Sequence, residues 1–153
     1  MDEIQLIGEK MGTKRSILVE SSGVPLAVVI SGANTHDVKL LEKTLDAVII
    51  TRPEVTEHAP QHLCADAAYT GAPAAEIMDE HMYTPHVRSR GEEKAGKQEG
   101  KKARRWVVEV TFSWLNRFRK LLVRWEKKEE NYLALLHFAC AIIVWRKLLP
   151  VHR

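Results

Sequence analysis

Two runs of β-branched and aliphatic residues, 13–20 and 24–31, flank the turn signal Ser21, Ser22, Gly23, a pattern that predicts an antiparallel hairpin. Gly32, Ala33 and Asn34 end it. From Asp37, placed as an N-cap, the apolar positions Val38, Leu41, Leu45 and Val48 recur at the three- and four-residue spacing of one helix face. Beyond Pro53 and Pro60, residues 62–69 form a short apolar segment around a single carboxylate, Asp66, which predicts a buried strand ending at an acid. Pro73 suits the first turn of a helix running to about Glu80, and residues 83–87 fit another short strand. Residues 89–103 are polar, charged and glycine-bearing, as a mobile loop would be. Between residues 104 and 125, Trp106, Val110, Trp114, Phe118 and Leu122 fall every fourth position and predict one long helix turning an aromatic stripe to a core. Asn131 is expected to cap a last helix and Pro150 to stop it. Strand, strand, helix, strand, helix, strand implies an α/β fold with helices on a mixed sheet.

Composition narrows this picture. A chain of 153 residues with 45% hydrophobic and 28% charged residues has enough apolar material for one core, which excludes disorder throughout. The opening residues carry Asp2, Glu3 and Glu9 where an export signal needs positive charge. The apolar stretch 133–145, interrupted by His137, is shorter than the roughly 20 residues that cross a bilayer and is expected to be a buried helix, with no membrane partner. Cys64 and Cys140 lack metal-ligand or redox spacing and are expected to be reduced core residues. Charge is unevenly placed: residues 88–128 hold 14 Lys and Arg against 5 Glu, leaving the remainder net acidic. Such a block suits a polyanion or a merely solvated face.

Two carboxylates stand out. Asp66, at the end of an apolar strand, calls for a cation or metal beside it, or else caps a turn. Glu109, with Arg105 four residues before it and Asn116 seven after, lies on the polar face of the long helix, either aimed at a cleft or forming a surface ion pair.

The string from Arg105 to Arg119, RWVVEVTFSWLNRFR, resembles the R-W-V-V-E-R-T-F-x-W-L-x-R-F-R signature of bacterial DDE insertion-sequence transposases. Gly12-Thr13-Lys14-Arg15, Gly23-Val24-Pro25-Leu26, Gly32-Ala33-Asn34-x-His36-Asp37 and Ala65-Asp66-x-x-Tyr69 match the same family in the same order, so the resemblance covers nearly the whole chain.

The resemblance implies a ribonuclease H-like mixed sheet with flanking helices, in which two Asp and one Glu hold two divalent ions, Mg²⁺ or Mn²⁺ in its place. Asp66 matches the second acid and Glu109 the third, both as catalytic residues and as metal ligands. Hard oxygen ligands suit such ions, and a metal pair activates the attacking oxygen and stabilises the leaving one in displacement at phosphorus. Water first frees a transposon 3′-OH, which then attacks target DNA. Arg105 matches an Arg that contacts phosphate or orients the Glu. Asn116 stands where relatives carry a Lys or Arg, and Arg117 and Lys120 are the cations that take over the DNA contact. The family's first Asp rides a strand before the hairpin, and that strand is expected to be missing. Asp37 is read as an N-cap and Glu20 as an exposed strand residue.

The chain is therefore expected to be a partial catalytic domain over residues 1–153: sheet and helices at 13–87, a mobile basic loop at 89–103, C-terminal helices at 104–149. A truncated or split transposase, inactive alone for want of the first Asp, is the leading reading. A non-catalytic DNA-binding or inhibitory module is the alternative, and a stand-alone nuclease the third. Expected partners are transposon-end and target DNA, an upstream transposase segment or the full-length enzyme, and copies of itself on DNA, in the bacterial cytoplasm at the nucleoid.

Overall fold

The computed structural model describes residues 3–4, 12–87 and 106–149. In chain order these form β1 (Glu3–Ile4), β2 (Thr13–Val19), β3 (Pro25–Gly32), α1 (Asp37–Asp46), β4 (Gln61–Ala65), a 3-10 turn (Ala67–Tyr69), α2 (Ala72–Glu80), β5 (Tyr83–Val87), α3 (Trp106–Leu115), α4 (Arg119–Leu122) and α5 (Glu129–Leu148). The expected single mixed sheet is divided among the described residues: β1, β2 and β3 form an antiparallel sheet, while β4 and β5 pair in parallel. The loop expected at 89–103 lies outside the described residues.

The hairpin forms as its pattern predicts, with Thr13 opposite Gly32 and Ile17 opposite Val28, and a bulge between Leu18 and Val19. Its turn depends on Gly23. That residue has φ of +86°, and a Cβ there would meet Thr111 Oγ1 at 3.1 Å and the Trp114 ring at 3.3 Å. Only glycine tolerates both the left-handed backbone and the close approach.

Because strand side chains alternate, β2 serves two cores. Ser16 faces α1, where Thr44 donates to its hydroxyl at 2.8 Å. Its neighbour Arg15 points the other way, to Asn116 beyond α3. Ile17, Val28 and Ile30 pack on that second face against Phe112, Leu115, Leu121, Tyr132 and Leu136. On the α1 side, Leu18 packs with Leu41, Leu45, Leu63, Tyr69, Met78 and Tyr83. Each fully buried leucine in these clusters contributes about 2 kcal/mol.

Several expectations are revised. Before the hairpin, Glu3–Ile4 pairs antiparallel with β2, only opposite Lys14 and Thr13. Asp37 lies in the first turn of α1, and His36 takes the N-cap position. The strand expected at 62–69 ends at Ala65, because Asp66 caps the following 3-10 turn. The long helix expected at 104–125 ends at Leu115, where Arg117 N and Phe118 N bond three residues back to Trp114 O and Leu115 O. Leu115 and Leu121 are both almost fully buried in one core. In a straight helix, residues six apart sit about 240° apart around the axis, so the chain must turn at Asn116–Phe118 to bury both. The inward face of α3 is accordingly Val107, Thr111, Phe112 and Leu115, whereas Val110 and Trp114 are only half-buried and Leu122 is exposed.

The last helix begins at Glu129 with Lys128 as N-cap, leaving Asn131 inside the first turn. Cys140 is buried as expected but Cys64 is exposed, since Leu63 takes the inward position of β4 and its neighbours point out. At the end of α2, Met82 adopts φ of 59°, a left-handed conformation more usual for glycine.

Candidate catalytic and DNA-binding site

β4 delivers Asp66 to its C-terminal end. The small residues Ala65, Ala67 and Ala68 let the backbone turn tightly there, and Asp66 Oδ1 accepts from Ala68 N at 2.8 Å. The carboxylate is thus half-buried and fixed by a short capping bond, the turn-capping role foreseen for a strand-end acid.

Tyr69, at the other end of the turn, is buried among leucines and within hydrogen-bonding contact of the Ser16 side chain. Burial raises its phenol well above the usual tyrosine range, and the charges of Asp66 and Asp37 push it further the same way. Asp37 is therefore a neighbour of the same phenol as Asp66. Lys14 Nζ offsets it, reaching Asp37 Oδ1 at 3.2 Å and the Thr35 carbonyl at 3.4 Å. The sequence pattern marked Asp37 only as a helix start. The signal that could have found it is the Gly32-Ala33-Asn34-x-His36-Asp37 run itself, which places an acid directly after the edge of β3.

Glu109 occupies the exposed face of α3 near its start, where a carboxylate also suits the helix dipole. One half-turn on, buried Thr111 donates to the Gly23 carbonyl at 2.7 Å and so pins this end of α3 to the hairpin turn. Asp66 lies instead with Tyr69 and α1. Among the described residues no group of three or more His, Cys, Asp and Glu side chains is placed to hold a metal ion.

Arg105 lies outside the described residues. Asn116 is half-buried, its Oδ1 accepting from Arg15 at 3.0 Å. Arg15 is only 1% exposed and stacks over the Phe112 ring at 5.3 Å, yet among the described residues its Nε and one terminal nitrogen have no close hydrogen-bond partner. Nearby, Arg124 donates to Thr13 and lies over the Tyr132 ring at 5.5 Å. Arg117, Arg119 and Lys120 are all exposed at the turn between α3 and α4, close in sequence to the exposed Leu122 and Trp125. Cations interleaved with an exposed aromatic can bind phosphate and stack on a base.

The family described as "Transposase DDE domain" matches residues 8–144. The chain belongs to that family. A protein of Burkholderia cepacia named "Putative transposase for insertion sequence element IS402" is 33% identical over 140 residues, covering 90% of this chain and 64% of that relative. The chain therefore spans less than two thirds of the relative's length. No solved structure matches it. Membership implies use of a divalent metal. Carboxylates are the right donors for one, but the described residues do not assemble a complete donor set, so no step is derived through an ion.

Proposed function

We propose that this chain supplies the second and third carboxylates of a DNA transposase, Asp66 and Glu109, within a ribonuclease H-like catalytic domain. In this reading the whole enzyme cleaves insertion-sequence ends and joins them to target DNA with Mg²⁺, or Mn²⁺ in its place. The observation that carries it is the family match over residues 8–144, which includes both acids and the hairpin between their supporting elements. In this reading the first carboxylate comes with a strand along β2, beyond the two residues that β1 covers. This chain alone is then inactive. Arg117 and Lys120, with Arg105 and Asn116, contact the DNA, and the protein works as an oligomer on DNA at the bacterial nucleoid.

The alternative, a DNA-binding or inhibitory module without catalysis, is favoured by one observation: among the described residues no three His, Cys, Asp or Glu side chains are grouped to hold a metal ion. Cleavage of labelled duplexes bearing the ends of the encoding element separates the two. The purified chain is expected to bind without cutting, and to cut with Mg²⁺ once joined to an upstream segment bearing an Asp on a strand. Binding that never becomes cutting, in any such reconstruction, leaves the module reading and overturns the catalytic one. Absence of binding even at low salt overturns both.

A further inference from the structure

The helix α5 has two apolar faces, and among the described residues only one of them is packed. Tyr132, Leu136, Ala139, Cys140 and Ile143 are buried in the core shared with the hairpin. Around the helix lie Ala134, Phe138, Ala141, Trp145 and Leu148, all exposed, with Phe138 at 67%, Trp145 at 63% and Leu148 at 74%. Their spacing is four, three, four and three residues, the average 3.5-residue repeat that keeps a seam facing a second helix along a supercoil. Large aromatics exposed in a continuous row on a folded protein mark a contact surface.

We propose that this seam joins two copies of the chain, α5 packed antiparallel against α5, in a homodimer that forms without DNA. Size alternation argues for the occupant. Antiparallel packing that sets Phe138 across from Ala141 of the second copy also sets Trp145 across from Ala134, so each aromatic ring meets a methyl group rather than another ring. A parallel pair would stack Trp145 on Trp145 and leave Ala141 facing Ala141. Charge argues the same way. The first turn of α5 carries Glu129 and Glu130 and its last turn Arg146 and Lys147. In the antiparallel register Arg146 lies within one turn of the second copy's Glu130, whereas parallel helices would bring like charges together.

By length and composition α5 is also long and apolar enough to cross a membrane. Immersion would draw Tyr132, Leu136 and Ile143 out of a core in which they are buried, so the protein partner is favoured over the lipid one.

Sedimentation equilibrium of the whole chain tests this. Twice the chain mass is expected, and Phe138→Glu or Trp145→Glu should weaken self-association at least 100-fold with an unchanged far-UV circular dichroism spectrum. In a Cys64→Ser background, Phe138→Cys and Ala141→Cys chains should cross-link faster when mixed than either does alone. A monomer at tens of micromolar, a dimer indifferent to both glutamates, faster linking within each single variant, or co-flotation with phosphatidylcholine vesicles would each overturn the proposal.

Discussion

Arg15 donates to Asn116 Oδ1 at 3.0 Å across 101 positions of sequence, joining the centre of β2 to the turn that ends α3. Among the described residues no carboxylate accompanies this buried guanidinium, two of its nitrogens have no close hydrogen-bond partner, and its other polar neighbour is the Tyr132 side chain. Replacing an unpaired buried charge by an apolar side chain of similar volume is often neutral or stabilising, whereas removing its remaining acceptor is not. Arg15→Met is therefore expected to fall within about 1 kcal/mol of wild type or above it. Asn116→Ala should cost about 1–3 kcal/mol. Urea titrations of both variants give the comparison, and a large loss for Arg15→Met alone would mean that the charge has a partner elsewhere.

The hairpin turn and α3 are locked through Gly23. Gly23→Ala imposes a Cβ on a backbone at φ +86° with Thr111 Oγ1 only 3.1 Å away, and is expected to cost about 2–4 kcal/mol from strain and crowding together. Thr111→Val, which keeps the shape but leaves the Gly23 carbonyl without its donor, should cost about 1–2 kcal/mol. The double variant should lose less than the sum of the two, because both act on one contact.

The hairpin, α1, α2 and β5 were legible from sequence because their periodicity is local and their ends carry turn residues such as Gly23 and Pro73. The break after Leu115 was not, since no Gly or Pro marks it. It exists so that Leu115 and Leu121 can share a core with residues about twenty positions later. Asp66 was recognisable as the acid at a strand end, but its capping bond to Ala68 and its proximity to Tyr69 depend on how the chain turns. The neighbours of Asn116 could not be read at all, because its partner Arg15 lies on a distant strand.

Alkaline pH should weaken the fold through Cys140. Burial pushes this thiol up from 9.0 to about 11. Its folded pKa is raised, so the associated stability is fully present below pH 9 and is lost as pH climbs towards 11, when the unfolded thiol ionises and the folded one does not. The loss reaches about 2–3 kcal/mol by pH 11. Tyr132, also raised by burial, acts in the same direction at higher pH. Urea midpoints from pH 8 to 10.5 should fall more steeply in wild type than in Cys140→Ala. At neutral pH, iodoacetamide should label exposed Cys64 long before Cys140.

The acids and the surface cations should separate in their effects. Asp66→Asn and Glu109→Gln are expected to abolish cleavage by the reconstructed enzyme, by about 10³-fold or more, while DNA binding and melting temperature change little. Chelation by EDTA should do the same reversibly. Arg117→Ala combined with Lys120→Ala should instead lower affinity for any duplex and flatten the log–log dependence of binding on salt by about 2. Equal cleavage rates in the carboxylate variants would remove both residues from the site.

Contacts made by the hairpin reach far along the chain: Arg15 to Asn116, Thr13 to Arg124 and the Ser22 carbonyl to Lys147. During synthesis, then, the ribosome releases β2 and β3 long before anything exists to cover the Arg15 face. That face stays wet until α5 has left the exit tunnel, and the nascent chain is open to chaperones and to misassembly with other copies throughout this interval.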